Sequence, residues 1–174
     1  MGDPDRTRGR WLAVLAAVAV IQGTALVALM ARDTAAELPE GYFLGDVRVV
    51  DAAGEVRSIA AAAEPTLVLV FHSECVHCAT IAPEWARRLA EAPPGLRIVA
   101  VSREPHAVAS SYARTHGWQV EVLSLEDPEP DFGSPAFELT KRTPWIYGLD
   151  ASGRIQATGK GAAFARVAAE LTSE

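Results

Sequence analysis

Two cysteines, Cys75 and Cys78, are the only ones in the 174-residue chain, and they form a C-x-x-C pair. Thiols at this spacing can form a disulfide, exchange it with another protein, or supply two ligands to a soft metal ion. Which of these reactions is available depends on the elements that hold the pair. It also depends on whether the compartment is reducing or oxidising.

The pair stands between a predicted strand and a predicted helix. Residues 66–71 form a continuous β-branched and apolar run, typical of a central strand buried on both faces. Helical sequence follows over residues 76–91. Cys75 therefore lies at a helix N-terminus, where free N–H groups and the helix dipole favour negative charge. This position predicts a low thiol pKa, so that Cys75 attacks and the more shielded Cys78 resolves the mixed disulfide.

Neighbouring residues are candidates for tuning the pair. A protonated His77 near the Cys75 thiolate would stabilise the reduced form and make the pair a better oxidant. The alternative is that His77 faces solvent without consequence. The charge of Glu74 acts in the opposite direction, because it disfavours a neighbouring thiolate. Pro83 removes a backbone hydrogen bond and bends the predicted helix.

The rest of the chain alternates strands with helices, which predicts an α/β layered fold. A hairpin is expected over residues 47–59, before the C-x-x-C strand. The elements expected after the C-x-x-C helix are a strand at 96–102, a helix at 105–116, a strand at 118–125, a short helix at 136–141, a hairpin at 144–160 and a final helix at 162–172. The two hairpins at the ends make the predicted sheet mixed.

A long apolar segment near the N-terminus bears on the compartment. Residues 11–31 carry no charge, and at about 1.5 Å per residue they span the roughly 30 Å of a bilayer core. Three arginines precede the segment, whereas only Arg32 follows closely. This bias predicts an uncleaved signal anchor with its N-terminus in the cytoplasm. A cleaved signal peptide, with a weak candidate site at 34–36, is the alternative.

The predicted organisation follows from this topology. The chain divides into a cytoplasmic N-terminus at 1–10, a transmembrane signal anchor at 11–31, a tether at 32–46, and a domain at 47–174 in the periplasm or outside the cell. The net charge is −6, and residues 1–10 and Arg32 each contribute +1, so the remainder carries about −8. Such an acidic balance excludes the basic footprint of a nucleic-acid-binding protein.

Two segments carry a resemblance to a known family. They are residues 68–83, which contain the strand, the C-x-x-C pair and the helix proline, and residues 143–155, Thr-Pro-Trp-Ile-Tyr-Gly-Leu-Asp-Ala-Ser-Gly-Arg-Ile. The hairpin at 47–59 and the helix–strand insertion at 105–125 match as well. Over about residues 40–174 the chain resembles the thioredoxin superfamily, and more narrowly the membrane-anchored TlpA/ResA-like thiol–disulfide oxidoreductases.

The resemblance implies a thioredoxin-like three-layer sandwich with a central mixed sheet, preceded by one N-terminal transmembrane helix. It implies that Pro144 is cis and faces the cysteines, and that Thr143 offers its backbone to a substrate chain. Trp145 is expected to line the same groove. Glu84, just after the helix proline, matches an acidic position in many anchored members. The chain departs from the family at Glu74, where a Trp or a small residue is usual.

The function expected from these observations is membrane-anchored, extracytoplasmic thiol–disulfide exchange, in which the Cys75–Cys78 disulfide is the redox group and no further cofactor or metal is needed. The expected partners are disulfides or dithiols of exported proteins, such as apocytochrome c, and a thiol–disulfide electron donor in the membrane. The direction of electron flow stays open. One alternative is a soft-metal module built from His72, Cys75, His77 and Cys78. The other is a tethered domain with a structural disulfide.

Overall fold

The computed structural model of the protein describes residues 38–172. The predicted N-terminus at 1–10 and signal anchor at 11–31 lie outside these residues. Within residues 38–172, no helix combines the length and the apolar character needed to cross a bilayer.

Seven strands and four α-helices form the described part of the chain. In chain order they are β1 (Arg48–Val50), β2 (Val56–Ser58), β3 (Thr66–Val70), α1 (Val76–Ala90), β4 (Arg97–Ser102), α2 (His106–Thr115), β5 (Glu121–Leu125), α3 (Pro135–Thr140), β6 (Trp145–Leu149), β7 (Ile155–Lys160) and α4 (Phe164–Thr172). A 3₁₀ turn, Gly161–Ala163, leads into α4. Each element predicted between residues 47 and 172 is present.

The strands form one mixed sheet in the order β2-β1-β5-β4-β3-β6-β7. The central strands β3, β4 and β5 are parallel, and both hairpins add antiparallel strands at the edges. This confirms the predicted mixed sheet. Because the chain crosses from β3 to β4 through α1, the C-x-x-C pair lies at the carboxyl edge of the central strands.

Strand β3 is buried along its whole length, as its apolar run predicts. Its side chains alternate between two cores. Leu67 and Leu69 pack with α1, α2 and α4, whereas Val68 and Val70 pack on the opposite face with Leu139 of α3. Apolar residues at every position are needed because both faces of this strand exclude water. The result is a three-layer arrangement with the sheet in the middle.

The predicted tether at 32–46 is wrong for its described residues, 38–46. Leu38 and Leu44 are buried in the core on the α3 side of the sheet. The N–H of Gly41 donates to the carbonyl oxygen of Ile155 at 2.7 Å, and Phe43 forms an isolated bridge with Arg154. Glycine and proline had suggested an irregular linker, but burial of two leucines joins this segment to the domain.

The strand predicted at 118–125 begins later, at Glu121. Trp118 is buried instead in the core beneath α1, where its indole N–H donates to the carbonyl oxygen of Ala82 at 3.0 Å. Ala82 precedes Pro83 in the helix. The aromatic side chain thus anchors α2 to α1 and does not extend the sheet.

Candidate active site

Cys75 caps α1. Its backbone is extended, with φ −79° and ψ 113°, and its sulfur accepts a hydrogen bond from the N–H of Cys78 at 3.3 Å. A side-chain acceptor at this position satisfies one of the N–H groups that the first helical turn leaves without a partner. The predicted place of Cys75 at the helix N-terminus is confirmed.

The pKa of Cys75 lies below that of an ordinary cysteine. Burial raises this pKa, but hydrogen bonds from the Thr143 side chain, from the Cys78 side chain and from the backbone N–H groups of Cys78 and His77 outweigh it. Each of these bonds favours the charged thiolate. Cys75 is also partly exposed. A partly exposed thiol with a lowered pKa has the properties of an attacking nucleophile.

Cys78 has the opposite character. Its side chain is fully buried, and both cysteines are free thiols in the structure. Burial is the main cause that raises the pKa of Cys78 to about 12, and the hydrogen bond and the charge of Cys75 add to it. When the Cys75 sulfur joins a mixed disulfide its charge is lost, so one of the causes that keep Cys78 protonated disappears.

The predicted Thr143–Pro144 segment lies next to the C-x-x-C pair. The Thr143–Pro144 peptide bond is cis, as the family resemblance implied. The Cys75 sulfur lies 3.4 Å from the carbonyl oxygen of Thr143, although 68 residues separate the two in sequence. The Cys75 sulfur therefore lies directly beside the start of β6.

Buried hydrogen bonds hold the Pro144 segment in place. The indole N–H of Trp85 donates to the carbonyl oxygen of Gly161 at 2.8 Å, and the N–H of Gly161 donates to the carbonyl oxygen of Pro144 at 3.2 Å. A Cβ at Gly161 would lie only 3.0 Å from two Pro144 ring carbons. The glycine is needed because larger residues would press on the proline.

A groove of about 660 Å³ opens beside this juxtaposition. Its lining includes the predicted substrate-binding residues Thr143, Pro144 and Trp145, together with His77. Trp145 is 5% exposed and donates its indole N–H to Thr158 Oγ1 at 2.6 Å, so most of its ring is core and only part faces the groove. The exposed His77 stands on the opposite wall, on α1.

For the predicted tuning residues Glu74 and Glu84, the structure gives no side-chain hydrogen bond with either cysteine within residues 38–172. Glu74 is exposed, and its backbone N–H donates to His72 Nδ1 at 3.2 Å. The Glu84 carboxylate accepts hydrogen bonds from Arg87 and Arg88. These bonds hold the pKa of Glu84 below its usual value, and the bond from Arg87 has the larger effect. Their influence on the cysteines therefore stays a prediction.

Glu104 is a site residue that the sequence reasoning missed. Its carboxylate accepts hydrogen bonds from the N–H of Ser73, at 2.7 Å, and from the hydroxyls of Ser73 and Ser102. It thereby anchors the loop that leads into Cys75. Burial raises the Glu104 pKa, but the bonds from Ser73 and Ser102 outweigh it and leave the pKa lowered. The parallel pairing of β3 and β4 brings both loops to the same sheet edge, but the sequence contained no pattern that singled out Glu104 as the partner of Ser73.

Tyr112 was also missed. Its ring stacks on Phe71 with a centroid distance of 5.4 Å, and its buried hydroxyl has no hydrogen-bond partner among residues 38–172. Burial is the main cause that raises the pKa of Tyr112 to about 12, and the charges of Cys78, Cys75 and Glu104 contribute to the same shift. The phenol therefore lies within electrostatic reach of both sulfurs.

The metal-site alternative has no geometric support in the described part of the chain. Among residues 38–172, no three His, Cys, Asp or Glu side chains are grouped so that they could hold a metal ion. His72 turns its Nδ1 towards Glu104, 3.8 Å away, and His77 lies on the groove wall.

Solved structures similar to this one share its fold. A thiol:disulfide interchange protein from Bacteroides sp. is 17% identical with a TM-score of 0.64, covering 79% of this chain and 92% of its own. The thioredoxin domain of a Bacteroides vulgatus thiol-disulfide oxidoreductase is 18% identical with a TM-score of 0.57, covering 70% and 89%. A secreted Mycobacterium tuberculosis disulfide oxidoreductase is 15% identical with a TM-score of 0.53, covering 71% and 95%.

These similarities define the fold as thioredoxin-like. No family model matches the sequence, and comparison with curated proteins gives no match. At sequence identities of 12–18%, the structural similarity shows only that the fold is shared.

Proposed function

We propose that this protein is a membrane-anchored, extracytoplasmic thiol–disulfide oxidoreductase that works through Cys75 and Cys78. The observation that carries the proposal is the contrast between the two sulfurs. Cys75 is partly exposed, caps a helix and has a lowered pKa, whereas Cys78 is buried and its pKa is raised to about 12. A disulfide that served only as a staple would need no such contrast.

The proposed reaction is a two-step exchange. The Cys75 thiolate attacks one sulfur of a substrate disulfide, forming a mixed disulfide and releasing the other substrate sulfur as a thiolate. Cys78 then loses its proton and attacks the Cys75 sulfur, which releases the second substrate thiolate. The substrate disulfide gains two electrons, and the Cys75–Cys78 dithiol is oxidised to a disulfide. With an oxidised enzyme and a substrate dithiol, the same steps run in reverse.

The membrane anchor and the location outside the cytoplasm rest on the sequence of residues 1–32, with its apolar segment and its preceding arginines. An exported C-x-x-C protein that acts as a reductant must be re-reduced, so we include a membrane thiol–disulfide electron donor in the proposal. Exported proteins with exposed disulfides or dithiols, apocytochrome c among them, are the proposed substrates. Reporter fusions after residue 36 and protease protection in intact cells test the topology.

Insulin reduction and the trapping of mixed disulfides test the proposed exchange reaction. We expect Cys75→Ser to abolish insulin reduction, and we expect Cys78→Ser to accumulate mixed disulfides with substrate proteins. Full activity of Cys75→Ser would overturn the proposal. A pair that stays oxidised in mild reductant and exchanges with nothing would favour the structural-disulfide alternative.

The reduction potential of the Cys75–Cys78 pair decides the direction of electron flow. A value near that of thioredoxin, about −270 mV, would define a reductant, whereas one near −120 mV would define an oxidant. Comparison with His77→Pro shows whether the histidine on the groove wall contributes to that value.

A further inference from the structure

The groove beside Pro144 has an unusual charge for this protein. The chain contains two lysines, Lys141 and Lys160, and both line the groove together with Arg142. None of the described lining residues is acidic. The chain beyond Arg32 carries about −8, yet three basic side chains line a groove that includes Thr143, whose carbonyl oxygen lies 3.4 Å from the Cys75 sulfur.

Lys160 is the most available of the three cations. It is exposed, and within residues 38–172 it forms no ion pair. Lys141 is paired with Glu138, and the Arg142 guanidinium lies over the Trp145 ring, 5.4 Å from its centroid. Lys160 also has a defined place, because it is the register partner of Trp145 in the β6–β7 pair and so stands next to the cis proline.

The groove also has apolar lining residues beside its cations and the polar residues His77, Thr80 and Thr143. Ile81 from α1, the Pro144 ring and part of Trp145 contribute to the lining. A volume of about 660 Å³ suits a few side chains of a bound segment, since ligand sites of roughly 300–1,000 Å³ are usual. The lining therefore combines apolar side chains with three basic ones.

We propose that this groove selects substrate segments in which an Asp or Glu lies about one or two residues from the reactive cysteine. The inference rests on the proposed function and adds the chemical class of its substrate. Thr143, which contacts the Cys75 sulfur, and Trp145, which faces Lys160, are two positions apart on the same strand end. An extended segment advances about 3.3 Å per residue, so a cysteine at the sulfur brings its near neighbours to the cations.

Matched disulfide peptides test the proposal. The reduced full-length protein in detergent reacts with three peptides that differ only in the residue beside the disulfide cysteine, which is Asp, Asn or Lys. We expect the Asp peptide to react roughly two- to tenfold faster than the Asn peptide, and the Lys peptide more slowly than both. The ratio of the reaction rates of the Asp and Asn peptides, called the Asp/Asn ratio, should fall as salt is added, because salt screens exposed charges.

Variants locate the effect. Lys160→Gln should bring the Asp/Asn ratio towards one, and Lys160→Glu should invert it. Arg114→Gln removes the same charge from an exposed position on α2, away from this groove, and should leave the ratio unchanged. The ratio is the readout because any change in general reactivity affects both peptides equally.

The outcomes separate the two proposals. If the wild-type protein exchanges with a small neutral disulfide but shows no Asp preference, the acidic-segment proposal is overturned and the oxidoreductase stands. If Arg114→Gln lowers the ratio as much as Lys160→Gln, the preference reflects the overall charge, and the groove proposal is again overturned. Failure to exchange with any disulfide contradicts the proposed function itself.

Discussion

Trp85 and Gly161 are joined by a buried hydrogen bond of 2.8 Å between the indole N–H and the carbonyl oxygen. This bond connects the helix that carries both cysteines to the segment that packs on Pro144. The two halves of the site come from distant parts of the chain, so their relative position depends on contacts of this kind.

Removal of this bond should impair exchange beyond its effect on stability. We expect Trp85→Phe to destabilise the protein by about 1–3 kcal/mol, because it leaves a cavity and an unpaired buried carbonyl. We also expect a several-fold slower reaction with a substrate disulfide, since Gly161, which bonds to Pro144, loses its link to the helix that carries the cysteines. Denaturant unfolding and insulin reduction measure the two effects.

Trp118→Phe is the matched control. Its ring also packs on Trp85, with centroids 5.4 Å apart, and its indole N–H donates to a carbonyl oxygen of the same helix, at Ala82. Within residues 38–172 the Trp118 side chain forms no hydrogen bond with Pro144 or Gly161. It should cost similar stability and leave the exchange rate much less affected. Equal slowing by both substitutions would contradict a positioning role for Trp85.

The Cys75 pKa should depend on a donor at position 78. The side chain of Cys78 is among the hydrogen-bonding groups that lower the Cys75 pKa. We therefore expect a higher Cys75 pKa in Cys78→Ala than in Cys78→Ser, whose hydroxyl still donates to the thiolate. The pH dependence of iodoacetamide alkylation measures both values, and coincident profiles would show that the backbone donors alone set the pKa.

Glu104 should make stability depend on acidity. Its pKa is lower in the folded protein than in the unfolded chain, so its stabilising effect is complete above the unfolded pKa, roughly 4.3. The effect is lost as the pH falls through the folded pKa. We expect Glu104→Gln to cost about 1–3 kcal/mol at pH 7, and to show a smaller loss of stability than the wild type on acidification.

Denaturant unfolding between pH 3 and pH 7 measures this difference. Glu84→Gln provides the comparison, because Glu84 is also a paired carboxylate with a lowered pKa, but its partners Arg87 and Arg88 lie at the surface. Exposed pairs contribute little, so this variant should behave nearly as the wild type. A Glu104→Gln curve parallel to that of the wild type would show that the carboxylate does not anchor the Ser73 loop.

Tyr112→Phe should stabilise the protein. A buried hydroxyl without a partner has lost its hydrogen bonds to water and gained none, at a cost of about 1–3 kcal/mol. Phenylalanine removes that hydroxyl and keeps the stacking on Phe71. We expect a gain of roughly 1 kcal/mol in the free energy of unfolding, measured with denaturant.

Tyr112→Leu distinguishes the hydroxyl from the ring. This variant also removes the hydroxyl but loses the aromatic contacts with Phe71 and Trp118, so it should be less stable than the wild type. A loss of stability in Tyr112→Phe would show that the hydroxyl has a favourable partner in solution.

Local sequence was sufficient to predict the elements and the first half of the site. The buried character of β3 follows from its unbroken apolar run, and the cap at Cys75 follows from the change of periodicity after Phe71. Both features arise from near neighbours in the chain. The cis geometry of Pro144 was different, because it came from resemblance to a family and not from the residues around it.

Contacts between distant residues could not be predicted in the same way. Glu104 lies 31 residues from Ser73, and Gly161 lies 76 residues from Trp85. Their sequence surroundings contain no pattern that names the partner, since a hydrogen bond across the fold depends on strand register and helix packing. The burial of Leu38 and Leu44, which turned a predicted tether into part of the domain, has the same origin.

The amino-acid sequence by itself determined that a C-x-x-C pair follows a buried strand and begins a helix, because capping and hydrophobic periodicity act over a few residues. The tertiary structure alone decided that the Cys75 sulfur meets Thr143, that Glu104 holds the preceding loop, and that both lysines border one groove. Those positions depend on how the strands pair and the helices pack, and these long-range arrangements bring together side chains that are remote along the chain.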